Sequence, residues 1–314
     1  MQKEYFKSTL SPLVLFVYNR PWHTHQTIKH LQANYLADQT NLFIYSDGPK
    51  DVQDNSKIKE VRNYLNTITG FRKVTLIKRE KNWGLAESII NGTTEIIDRY
   101  HKVIVLEDDL ITSPNFLDYM NKALGYYQDN QRIYSISGYN HPTNLMPIPN
   151  DYQSDVYFTP RASSWGWATW RDRWEKADWS ISDFDRFLSN KQQQKQFNQG
   201  GDDLTRMLAL QMEGKIDSWA IRWCYTHYKN QALAVWPVKS YINNIGLDGT
   251  GSHYKGKEVR KYRNIDLNQT KEVNFANKAI IDDEIIKNFH KVYRHKTSTR
   301  FIKRLKNYIF PKVK

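Results

Sequence analysis

The sequence predicts an α/β protein with a mostly parallel sheet flanked by helices, followed by an aromatic-rich half and a basic helical tail. Three observations predict it. In the first half of the chain, short apolar runs ending in turn residues alternate with helix-period segments, the pattern of a parallel sheet with helices on its faces. All but two of the ten Trp lie between Ser135 and Trp236. From Ile285 to Lys314 there are ten Lys or Arg and no acid.

The elements follow in order. Leu13-Val14-Leu15-Phe16-Val17-Tyr18 is a continuous apolar run, the signature of a strand buried on both faces. After Asn19-Arg20, Pro21 suits the first turn of a helix whose buried side carries Ile28, Leu31 and Leu36. Leu42 to Tyr45 is the second strand, and it stops at the turn signature Ser46-Asp47-Gly48-Pro49. A polar helix marked by Ile58, Val61, Leu65 and Ile68 precedes a third strand at Val74 to Ile77. Leu85 through Ile97 forms a helix, and Val103 to Leu106 is a fourth strand that runs directly into Glu107-Asp108-Asp109. Ser113 then caps a helix with Pro114 at its first position and Phe116, Leu117, Met120 and Leu124 on one face. The later region, with its dense Arg161-Ala-Ser-Ser-Trp-Gly-Trp-Ala-Thr-Trp170 cluster, shows no linker and no repeat. One domain over 1–255 is expected, with halves at about 11–130 and 131–255 and an extension at 256–314.

Composition bounds the function. The 314 residues carry 46 Lys and Arg against 33 Asp and Glu, with 39% hydrophobic residues, so the chain is globular rather than disordered. Its longest apolar run is far below the roughly 20 residues of a spanning helix. The opening MQKEYFKSTLSP has no signal-peptide core. Cys224 is the single cysteine, which leaves no intramolecular disulfide. Together these favour a cytoplasmic setting. In the tail, Phe301, Leu305 and Tyr308 recur at helical spacing among the cations. Such a helix is either a foot on an anionic membrane surface or a stripe packed on the protein's own body. No nucleic-acid module is recognisable, and neither a P-loop nor a dinucleotide fingerprint is present.

Three adjacent acids are a poor way to end a buried strand for stability alone. In open α/β sheets ligands bind at the carboxyl ends of strands. Neighbouring carboxylates there suit a hard cation such as Mn²⁺ or Mg²⁺, with substrate phosphates completing the shell. Trp165, Trp167 and Trp170 offer flat faces to a sugar ring, or fill the core. His23 and His25 are two apart at a helix start and diverge, so they do not chelate as a pair. Lys81-Asn-Trp-Gly-Leu85 leads into a helix and is a candidate nucleotide contact.

The run from Val103 to Tyr119, with its EDDL acids and following Pro-Asn-Phe-Leu-Asp-Tyr, resembles the metal-site segment of GT-A glycosyltransferases, most closely the N-acetylglucosaminyltransferase I type. Tyr18-Asn19-Arg20, Tyr45-Ser46-Asp47-Gly48 and Gly249-Thr-Gly-Ser-His253 are similar to that family's nucleotide loops and late G-x-S-H loop, in the same order. The resemblance spans about residues 11–255 and implies a GT-A fold whose second half binds the acceptor. It implies a UDP-sugar donor, a divalent metal, and a glycan or lipid-linked acceptor in bacterial surface-polysaccharide synthesis, with inversion. Arg20 would lie by the pyrophosphate or base, and Asp47 by the uracil or ribose. Asp109 would hold the metal, Asp108 the ribose or sugar, and Glu107 the donor hydroxyls. Ser252 and His253 would belong to a closing loop, His253 as a metal ligand. The general base would be Asp217 in Lys215-Ile-Asp-Ser-Trp219, although alignment on Trp219 places Ser218 under the family's Asp. Asp202 and Asp203 are its rivals. The alternatives are a sugar-nucleotide pyrophosphorylase, which would want a Gly-rich signature after the first strand, and a non-catalytic carbohydrate-binding protein.

Overall fold

The computed structural model describes residues 10–249 and 266–294. The predicted alternation is present: β1 (Leu13–Val17), α1 (Pro21–Gln32), β2 (Asn41–Ser46), α2 (Asn55–Leu65), β3 (Lys73–Lys78), α3 (Leu85–Tyr100) and β4 (Lys102–Glu107). The chain continues through β5 (Leu110–Thr112), α4 (Phe116–Tyr127), β6 (Ile133–Ser137), β7 (Val156–Thr159) and β8 (Trp167–Trp170). Five helices follow: α5 (Arg171–Trp174), α6 (Phe184–Ser189), α7 (Lys191–Phe197), α8 (Leu204–Met212) and α9 (Trp219–Lys229). β9 (Leu233–Pro237), β10 (Ile242–Asn244) and α10 (Asp283–Val292) complete the described elements.

An eight-stranded sheet has the order β3-β2-β1-β4-β8-β6-β9-β7. β1 is parallel to β2 and β4, β2 to β3, and β6 to β9, while β8 runs antiparallel to β4 and β6, and β7 antiparallel to β9. The two halves read from the sequence therefore share one sheet. Alternate residues of β1 serve opposite faces, as a strand's period of two requires. Leu13, Leu15 and Val17 pack towards Ile28 and Leu31 of α1, whereas Val14 and Phe16 join Ile89 of α3 and Trp219 of α9.

Three local expectations are corrected. Leu36 lies beyond α1, with a left-handed φ of 77°, and Ile68 lies beyond α2. The helix after the acid triplet starts at Phe116, not Pro114. Its cap comes from far along the chain: Asn34 Oδ1 accepts from Leu117 N (3.0 Å), while Asn34 Nδ2 donates to His30 O (2.9 Å) at the end of α1. One amide thus serves orphan groups at two helix ends. Ser113 Oγ instead accepts from Asn115 N (3.2 Å), a local turn.

The segment 266–294 packs on the body. Phe275 stacks on Tyr126 with centroids 5.0 Å apart, and Phe289 meets Trp236 edge-on at 5.1 Å. The start of the basic tail is therefore core-forming, since Ile285 and Phe289 are buried. Phe301, Leu305 and Tyr308, on which the membrane reading rests, lie outside the described residues. Among the described residues no helix is long and apolar enough to cross a membrane.

Candidate active site

The acid triplet closes β4 at the carboxyl rim of the parallel strands. Glu107 is the last residue of β4, level with Phe16 of β1. The Asp108 carboxylate accepts from Tyr18 N (3.2 Å), and its backbone oxygen accepts from Thr27 Oγ1 (2.9 Å). Asp109 Oδ2 accepts from Arg20 Nη1 at 2.7 Å. A small antiparallel ribbon, β5 with β10, brings the 245–248 loop onto this turn, and Ile245 N donates to Asp109 O (2.9 Å). Gly246 is needed there because a Cβ would overlap the Asp109 carboxylate and crowd Arg20.

The charges at this rim are held at a cost. Burial pushes all three carboxyls above their usual range, and mutual repulsion adds to the shift of Glu107 and Asp108; Asp108 is pushed up to about 7. The Arg20 guanidinium opposes the rise at each. A site that raises three acids together favours either protons or a further cation.

Arg20 is also the hub of a second set of contacts. Its Nη2 lies 2.8 Å from His23 Nε2 and 3.6 Å from Asp248 Oδ1. The same His23 Nε2 lies 3.0 Å from Asp248 Oδ2. Burial, then the Arg20 charge, lowers the His23 pKa and keeps the ring neutral near pH 7. The two histidines do diverge, since His25 packs its ring on Tyr64 (4.9 Å). His23 was passed over in the sequence because only the loop carrying Asp248, 225 positions away, gives it a role.

Asp47 faces inward rather than into open space. Its carboxylate accepts from Gly48 N (3.0 Å) and, through both oxygens, from Trp83 N (3.1 Å each). It latches the β2 loop to the Lys81–Leu85 loop, leaving the Trp83 ring about half exposed, with the Arg79 guanidinium over it at 4.0 Å. Two further residues without a sequence signal hold these loops. Asp54 accepts from Tyr18 Oη (2.6 Å) and Asn19 Nδ2 (2.5 Å). Arg62 donates to the backbone oxygens of Ser46, Asp47 and Arg79 at 3.2, 3.1 and 2.7 Å.

Asp217 sits on the far side of the same loop, against Gly84, whose φ of 78° suits glycine. Its Oδ2 accepts from Ala86 N (3.2 Å) in the first turn of α3. Ser218 caps α9 by accepting from Ile221 N (3.3 Å). Asp203 is tied bidentately to Arg161 (2.6 and 2.9 Å), whose guanidinium lies over the Tyr293 ring at 3.7 Å. Asp202 is exposed.

The tryptophans divide. Trp167, expected to line a pocket, is in the core, 1% exposed and stacked on Trp219 (4.6 Å) and Trp174 (5.4 Å). Its place on a strand inside the sheet turns the ring under α9, which is why it is corrected to a packing role. Trp165, two residues earlier in the bend before β8, is half-buried and meets Tyr139 edge-on at 4.5 Å. Trp170 is buried and donates from Nε1 to Leu124 O (3.3 Å). Ser252 and His253 lie outside the described residues.

For a divalent metal, the donor set is the test. Among the described residues no three His, Cys, Asp or Glu side chains form an ion-holding group by themselves. The rim instead presents carboxylate oxygens whose charge is only partly offset by Arg20. That suits a hard cation held by one or two carboxylates and completed by phosphate oxygens.

Residues 29–216 match the GNT-I family. Among solved structures, the chain is similar to a mannosyltransferase from Pyrobaculum calidifontis in complex with GDP-Man and Mn²⁺, at 14% identity and a TM-score of 0.37, covering 55% of this chain and 51% of that one. It is also similar to TarS residues 1–349 of S. aureus, at 10% identity and a TM-score of 0.39, covering 74% and 59% respectively. The chain thus spans between half and three fifths of those two chains. No curated protein matches it. With the match extending over more than half of its length, from within α1 to the segment before Asp217, the chain belongs to the GNT-I family.

Proposed function

We propose that the protein is a metal-dependent glycosyltransferase that moves a sugar from a UDP-sugar to a hydroxyl of a glycan or lipid-linked acceptor, with inversion. The observation that carries this reading is the rim at Glu107-Asp108-Asp109, where burial raises three adjacent carboxyls and Asp109 meets Arg20 at 2.7 Å, in a chain of this family.

In this reading Asp109 holds Mn²⁺ or Mg²⁺, which when bound neutralises charge on the leaving diphosphate. Arg20 keeps a positive group near the nucleotide, by the pyrophosphate or the base. Asp108, fixed by Tyr18 N, faces the ribose or sugar, and Glu107 the donor hydroxyls. Asp47 acts less as a direct base reader than as the latch that sets the Trp83 loop against the nucleotide. Trp165 offers a half-buried face to a sugar ring. Asp217 remains the candidate base: Ala86 N anchors one oxygen, and the other takes the acceptor proton. Ser252 and His253 are assigned to the loop over the nucleotide by the family resemblance alone. Function at the inner face of the cell membrane, through the basic tail, belongs to the same reading.

Calorimetry with UDP, with and without Mn²⁺, tests it. Metal-dependent UDP binding that Asp109→Asn abolishes is expected. Asp217→Asn should leave UDP affinity intact and remove turnover. UDP binding that ignores Mn²⁺ would overturn the metal assignment, and full turnover in Asp217→Asn would remove that residue as base.

A further inference from the structure

His23 Nε2 faces two groups that demand opposite things of it. Arg20 Nη2, 2.8 Å away, can only donate, and Asp248 Oδ2, 3.0 Å away, can only accept. A neutral imidazole nitrogen serves one or the other. Arg20 meanwhile spans two carboxylates on different segments, Asp109 at 2.7 Å and Asp248 at 3.6 Å. A guanidinium between two acids, beside a ring nitrogen that satisfies only one neighbour at a time, has a second carboxylate within reach of the one it now holds.

We propose that His23 and Asp248 are positioning residues that form a second seat for Arg20. The guanidinium withdraws to this seat when a divalent cation takes the Asp109 carboxylate. Asp109 Oδ2 either accepts from Arg20 or ligates the ion, so Arg20 and the metal compete for one oxygen. In the seat, Arg20 donates to the His23 Nε2 lone pair and to the Asp248 carboxylate, whose Oδ2 turns from that nitrogen to the guanidinium, so that neither acceptor faces the other. Asp248 follows Gly246 in the loop that covers Asp109, so the exchange also ties metal occupancy to the position of that loop. The proposal rests on Asp109 being the metal-holding acid.

Mn²⁺ affinity in the presence of UDP, read from the electron paramagnetic resonance signal of free Mn²⁺, tests it in the full chain. Asp248→Asn should weaken Mn²⁺ binding by about tenfold, the scale of one charge-assisted hydrogen bond. His23→Phe should weaken it in the same direction, and it serves if Asp248→Asn folds poorly. Arg20→Gln removes the competitor, and in that background Asp248→Asn should have no further effect, a coupling that an independent packing role would not produce. If Asp248→Asn weakens Mn²⁺ equally in both backgrounds, Asp248 is itself a ligand and the seat is refuted. If neither Asp248→Asn nor His23→Phe changes Mn²⁺ affinity, the seat is likewise refuted. Asp109→Asn separates the two claims: unchanged Mn²⁺ affinity there sinks the metal assignment, whereas loss there with no effect at Asp248 and His23 sinks only the seat.

Discussion

Asp203→Asn is expected to be among the most destabilising single-atom changes in the molecule. The Arg161 and Asp203 side chains are only 11% and 7% exposed, with Nη1 and Oδ1 2.6 Å apart. At an effective dielectric of about 20, that separation corresponds to roughly 6 kcal/mol of gross attraction. Desolvation offsets much of this in the intact pair, so the pair itself adds little net stability. Removing one partner is different. The amide keeps the shape but leaves Arg161 charged beneath Tyr293, and the expected loss is about 3–5 kcal/mol. Urea unfolding followed by tryptophan fluorescence reads it as a lower midpoint at unchanged slope. A companion variant, Arg161→Met with Asp203→Leu, should recover most of the loss, because the stranded charge is gone. A loss below about 1 kcal/mol for Asp203→Asn would refute the reasoning, since it would mean that water reaches the guanidinium. Turnover abolished with stability intact would instead return Asp203 to the list of catalytic bases.

Three further outcomes are expected. His227 is fully buried and its pKa is lowered to about 3 by burial; the unfolded chain protonates it near 6.5, so stability present above that pH should fall by about 1.4 kcal/mol per unit as pH drops towards 3. Urea midpoints at pH 6.5, 5.5 and 4.5 should show that slope flattened in His227→Gln, and an equal slope in both proteins would exclude the histidine as its source. The acid triplet works in the opposite sense: its raised carboxyls contribute stability below the ordinary range near 4, and that contribution is lost as pH rises above that range, for Asp108 through about 7. Mn²⁺ with UDP should raise the melting temperature more at pH 8 than at pH 5, and an equal rise at both would contradict it. Gly246→Ala, whose Cβ would meet the Asp109 carboxylate, should weaken Mn²⁺–UDP binding by at least about tenfold with little change in far-ultraviolet circular dichroism; unchanged affinity would show that the loop yields.

The sequence alone determined the alternation of strands and helices, the position of the acids at the end of β4, and the family. Each is written locally: a VIVL run can only be buried, and three adjacent acids can only lie at its rim. The split of β1 between two cores also follows from its uniformly apolar run, because a strand alternates faces. What only the tertiary structure decided concerns partners distant in the chain. The insertion of β8 between β4 and β6 sends Trp167 into the core, while Trp165, in the bend before that strand, stays half-buried, a difference that a spacing of two residues in a tryptophan-rich run does not reveal. Asn34 as the cap of α4, Asp54 as the clasp of Tyr18 and Asn19, and His23 between Arg20 and Asp248 all join segments from 35 to 225 positions apart. Periodicity carries no record of such pairings, because a hydrogen bond between side chains constrains the two ends and nothing between them.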